Sequence, residues 1–135
     1  MSTTQIHRIF IDAPPEKVWE AITTPEFSRL YGYTGEVLEC DRPRRLVQTW
    51  APVWIQDEEP GTVTWDIEAT ADGATRLTLT HEGLGAETAR QVAGNPDPMG
   101  QGGGGWPWVL SGLKTVLETG RAMERQVWER QASAT

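Results

Sequence analysis

Gly105-Trp106-Pro107-Trp108-Val109-Leu110-Ser111-Gly112-Leu113-Lys114 opens the longest periodic stretch of the chain. From there to Met123, small or apolar residues recur at Trp106, Val109, Leu110, Leu113, Val116, Leu117, Gly120 and Met123. Steps of three and four residues place them on one stripe of an α-helix. Pro107 suits the first turn, where a missing N–H leaves no bond unmade. The pattern predicts a helix from about 105 to near 128, then a frayed tail over 129–135. A helix with a single apolar stripe needs an apolar surface to lie on.

Upstream, the period changes from helical to alternating. Residues 62–70 put Val63, Trp65, Ile67 and Ala69 on one face and Thr62, Thr64, Asp66, Glu68 and Thr70 on the other. Asp72-Gly73 is a hairpin turn signal. Residues 75–82 alternate again, with Leu77, Leu79 and His81 opposite Arg76, Thr78, Thr80 and Glu82. Two more strands are expected at 35–41 and 44–51, joined by a turn over Asp41-Arg42-Pro43-Arg44. Near the start, Ile6, Ile9, Phe10 and Ile11 mark a strand over 4–12, stopped by Ala13-Pro14-Pro15. Val18, Trp19 and Ile22 then define a short helix over 15–23, and Thr23-Thr24-Pro25-Glu26 starts a second, about 25–31. Residues 84–105 are polar and hold seven glycines, which reads as a loop, with the tract from Gly100 a flexible lid. The outline is α+β: a curved antiparallel sheet of about five strands against one long C-terminal helix, with two short helices after the first strand. It forms one domain over 1–135, with its core at about 5–128.

Composition narrows the function. Twelve Lys and Arg against nineteen Asp and Glu give a formal charge of −7, which repels a phosphate backbone, so no nucleic-acid partner is expected. No apolar run approaches the roughly 20 residues of a membrane-spanning helix, so no membrane insertion is expected. Met1-Ser2-Thr3-Thr4-Gln5 has neither a basic region nor an apolar core, and one cysteine, Cys40, forms no internal disulfide; both fit a cytoplasmic protein. Seven tryptophans stand beside only two Phe and two Tyr. So many Trp either fill a core or line a pocket for a flat apolar ligand, and composition leaves both open.

Catalytic and metal chemistry finds little to build on. His7 and His81 stand without Cys-x-x-Cys or His-Glu-x-x-His, so no metal or other cofactor is implied. His81 shares a face with Leu77 and Leu79, where it either meets a ligand or is satisfied within a core. Ser111 sits inside the long helix, not on a nucleophile elbow. Cys40 reads as a small packed residue. Asp66, Glu68 and Glu82 lie on polar strand faces. Gly100 and Gly105 have the outer spacing of a phosphate loop, but Trp106-Pro107 replaces the lysine and hydroxyl such a loop needs.

Four segments carry a family resemblance, in order: Ile11-Asp12-Ala13-Pro14-Pro15-Glu16-Lys17-Val18-Trp19-Glu20-Ala21-Ile22-Thr23, the stretch from Gly35 to Trp50, Thr75 to Gly83, and Gly105 to Lys114. Over about 5–123 the chain resembles the SRPBCC or START-like superfamily. More narrowly it is similar to the bacterial family related to the C-terminal domain of the heat-shock protein 90 ATPase activator. The resemblance implies a helix-grip fold, in which a U-shaped sheet wraps the long helix around a cavity. It makes Trp65, Leu77, Leu79, His81, Trp106, Val109, Leu110 and Leu113 cavity candidates, joined by Trp50 and Trp54; Trp19 is expected to pack helix to sheet, and Trp128 to lie at the frayed end. Family members usually carry two further strands before the Gly35-Glu36-Val37-Leu38 segment; here Leu30-Tyr31-Gly32-Tyr33-Thr34-Gly35 is too short for them. The strand near 35–41 should then be a bare edge, offering a homodimer contact. The leading expectation is a non-enzymatic module that binds a small apolar or aromatic molecule. A co-chaperone-like or regulatory interaction domain is the alternative, and a polyketide cyclase-like enzyme ranks third.

Overall fold

The alternating segments pair through their backbones, and the striped helix covers the apolar face they share. The computed structural model describes residues 3–23, 36–50, 59–93 and 105–121. Among these, the strands are β1 (Thr3–Ile11), β2 (Val37–Asp41), β3 (Arg45–Trp50), β4 (Gly61–Ala69) and β5 (Thr75–Leu84). The helices are α1 (Pro15–Ile22), α2 (Ala86–Ala93) and α3 (Gly105–Thr119). All five strands form one antiparallel sheet in the order β1-β5-β4-β3-β2. The first strand therefore pairs with the last, while the other neighbours follow in sequence. Gly73, at φ +89°, turns the chain between β4 and β5.

Register puts the inner-face residues in rows. His7, Leu79, Trp65, Leu46 and Cys40 form one row, and Gln5, His81, Val63, Gln48 and Val37 the next. α3 lays Trp106, Val109, Leu110 and Leu113 into this face, and α1 adds Val18, Trp19 and Ile22. Further along α3 polar contacts take over. Lys114 Nζ donates to the Phe10 carbonyl at 2.6 Å and pairs with Glu118 at 2.7 Å, while Glu118 Oε2 accepts the Asp12 N–H at 2.8 Å. The bond from Lys114, then that from Asp12, holds the Glu118 carboxyl below its ordinary pKa.

Several expectations need correction. α3 does not continue unbroken to 128. It ends at Thr119, where Gly120 takes φ +77° and donates its N–H to the Val116 carbonyl, a left-handed helix stop. Val116 is exposed and Leu117 only partly buried, so the stripe leaves the core before the helix ends. The stretch after β5 is not all loop, since α2 forms there. Its Thr88 and Val92 are buried, and Gln5 Nε2 donates to the Ala89 carbonyl at 2.9 Å. Cys40 is exposed rather than packed, because β2 is an edge strand and α3 lies chiefly against β1, α1 and α2. One short helix, α1, follows β1 among the described residues; the helix expected at 25–31 and the glycine tract over 100–104 lie outside them. No helix of the described residues is long and apolar enough to cross a membrane.

Candidate functional site

β3, β4, β5 and α3 each bring rings to one place. Trp50 and His81 meet edge to face with centroids 5.0 Å apart. Trp106 lies 5.6 Å from Trp50, 5.8 Å from Trp65 and 5.8 Å from His81. Leu77, Leu79, Val109, Leu110 and Leu113 complete the apolar surround, and every one of these candidates is buried. Trp54 and Trp128 lie outside the described residues.

The protonation of His81 follows from its neighbour. The Trp106 indole N–H donates to His81 Nδ1 at 2.9 Å. Indole has no acceptor, so Nδ1 carries the lone pair and the neutral ring holds its proton on Nε2. Burial, with a smaller push from the charge of His7, drives the His81 pKa down to about 4. The imidazole is therefore neutral at physiological pH, a donor through Nε2–H.

Gly61 makes room for that ring. It pairs with Trp50 in register, and a Cβ there would stand 2.6 Å from the Glu82 carbonyl and 3.0 Å from His81 Nε2. His81 Nε2, Trp50 Nε1 and Gln48 Nε2 are all buried with no hydrogen-bond partner among the described residues. Gln48 was not among the expected site residues. Its signal was present, since alternation over 44–51 puts Gln48 on the face of Leu46 and Trp50.

Neighbouring charges pair on the outer face. Arg76 pairs with Glu68 at 2.9 Å, Arg45 with Glu39 at 3.4 Å and Asp66 at 3.8 Å, and Arg44 with Asp41. Ser111 and Glu82 are exposed and meet no nucleophile or base partner among the described residues. No group of three His, Cys, Asp or Glu residues is arranged for a metal there either. His7 is half-buried beside Gln5, and burial lowers its pKa.

A family model described as Activator of Hsp90 ATPase homolog 1-like protein matches residues 27–118. The chain belongs to this family. Solved structures with the fold of this Hsp90-activator-like family include CalU16 from Micromonospora echinospora, with a TM-score of 0.67 and 19% identity over 97% of this chain and 83% of that one. Protein MLL2253 from Mesorhizobium loti has a TM-score of 0.65 and 23% identity, covering 85% of this chain and 96% of its own. Aha1 from Colwellia psychrerythraea, solved in solution as a dimer, has a TM-score of 0.61 and 17% identity, covering 89% and 99%. At these identities the likeness establishes a shared helix-grip fold. Among curated proteins, none matches the chain.

Proposed function

We propose that this Hsp90-activator-like domain binds a small hydrophobic or aromatic molecule, without transforming it, between the inner face of the sheet and α3. The observation that supports this reading is the ring cluster. Trp50, Trp65, His81 and Trp106 arrive from four elements and stand at centroid separations of 5.0–5.8 Å. A flat apolar guest held there would meet ring faces and edges supplied by four elements.

The test is thermal unfolding across a panel of aromatic and lipid compounds, with tryptophan emission followed in parallel. A true ligand at 100 times its Kd raises stability by about 2.7 kcal/mol. It also quenches or shifts the emission. Trp65→Ala and Trp106→Ala should weaken both responses. A panel in which no compound moves either signal overturns the reading.

A second reading, an interaction domain, is favoured by β2. Among the described residues this strand pairs with β3 alone, and Val37 and Leu38 are 58% and 57% exposed. The occupant we propose is a second copy of the chain, paired strand to strand, as the dimeric state of the similar Aha1 also supports.

A further inference from the structure

Apolar guests of different chemistry are not equivalent at this site, because the surround is not wholly apolar. Gln48, Trp50 and His81 are 4%, 3% and 0% exposed, and each holds a nitrogen without a partner among the described residues. All three are donors. Trp50 Nε1 and the Gln48 amide nitrogen donate by their chemistry, and His81 Nε2 donates because Trp106 occupies Nδ1. They also lie together. Trp50 pairs with Gly61, the residue His81 Nε2 overhangs, and the two rings meet edge to face. Gln48 lies two residues along β3 on the same face and is joined to His81 through Val63 in one row.

A buried donor left unpaired is destabilising, so three in one neighbourhood define what the site lacks, which is an acceptor. The donors are uncharged, and the charge that acts on His81 is that of His7, which lies across the β1–β5 pair. An ionised guest would be buried there without a counter-charge. We infer that the guest is an uncharged apolar molecule carrying a carbonyl oxygen, for which Trp50, His81 and Gln48 offer N–H donors on one face of the sheet. This rests on the ligand-binding reading above and names the chemical class that the site selects.

The experiment compares α-tetralone, tetralin and naphthoate on the full chain. The first two share a ring skeleton and differ by one carbonyl, and the third is an aromatic anion. Titration calorimetry gives affinities, and amide and indole proton spectra locate the contact. The Trp50 indole signal is the one missing from Trp50→Phe. α-Tetralone is expected to bind about tenfold more tightly than tetralin, although tetralin is the more apolar of the two. The Trp50 indole proton should move downfield with α-tetralone and stay in place with tetralin. Trp50→Phe and Gln48→Met each remove a donor, so each should cut α-tetralone affinity several-fold more than it cuts tetralin affinity. Equal or tighter binding of tetralin, with no indole shift, overturns the carbonyl and leaves the ligand-binding reading standing, with the donors serving only water. Tighter binding of naphthoate overturns the uncharged class. Failure of all three to bind overturns both proposals.

Discussion

Trp106 has one N–H to give, and its destination fixes the state of His81. Protonating Nδ1 would break that bond and set two donors against each other inside the core. The consequence is measurable. In the unfolded chain the imidazole titrates near 6.5, and in the folded chain near 4. Between these values the unfolded state binds the additional proton, so stability is full above about 6.5 and falls as pH drops towards 4. Below 4 both states are protonated and this loss stops. A depression of this size amounts to on the order of 3 kcal/mol over the window. His81→Gln removes the titration and keeps an acceptor for Trp106. Urea midpoints of the two proteins from pH 7 to pH 4 should therefore converge, and parallel curves would count against the neutral imidazole. His81 was legible as an inner-face residue from the 75–82 alternation. Its protonation was not, because Trp106 lies 25 residues away in sequence and only the fold brings the two rings together.

At the scale of elements, periodicity carried most of the information. The alternation of 62–70 and 75–82 became β4 and β5, and the stripe from Trp106 became the buried face of α3. Leu113 sits at the centre of that face with no exposed surface. Leu113→Ala should cost about 2–5 kcal/mol, read as a lowered urea midpoint. A loss under 1 kcal/mol would mean that α3 does not clamp the sheet there. α2 escaped the same reading because Ala86–Ala93 carries a single large apolar residue, Val92, and alanines give propensity without a stripe. The end of α3 was misread for the opposite reason. The apolar period ran on through Gly120, while glycine's access to positive φ ended the helix there. Polarity alone would place Gln48 on the outer face. On β3 the face is set by position, and a buried amide is the exception that reports a site.

For the whole molecule, the sheet has two ends of different character. β1 is overlaid by α3 and tied to it by Lys114 and Glu118, whereas β2 is exposed along most of its length. Pairing β2 with its counterpart in a second chain would continue the sheet across a two-fold axis and bring Cys40 near its own mate. Light scattering at micromolar concentration should therefore give twice the chain mass, and mild oxidation should trap a Cys40–Cys40 crosslink that Cys40→Ser abolishes. A clean species of one chain mass would refute the pairing. The acidic bias of the chain, −7 overall, predicts that such a dimer tightens as added salt screens the repulsion between copies.

The pairing of the first strand with the last also has a temporal side. Gln5 finds His81, and Ile9 finds Leu77, so β1 has no partner in the sheet until β5 exists. During synthesis at about 5–20 residues per second, β1 leaves the ribosome several seconds before its neighbour can follow. Ile6, Ile9, Phe10 and Ile11 spend that interval as a nascent apolar segment without a sheet to join. The hairpin of β4 and β5 can zip as soon as it emerges, because its contacts are local. β1 is thus the first strand of the sheet to be made and the last to be paired, and its apolar side chains need shielding for the whole of that interval.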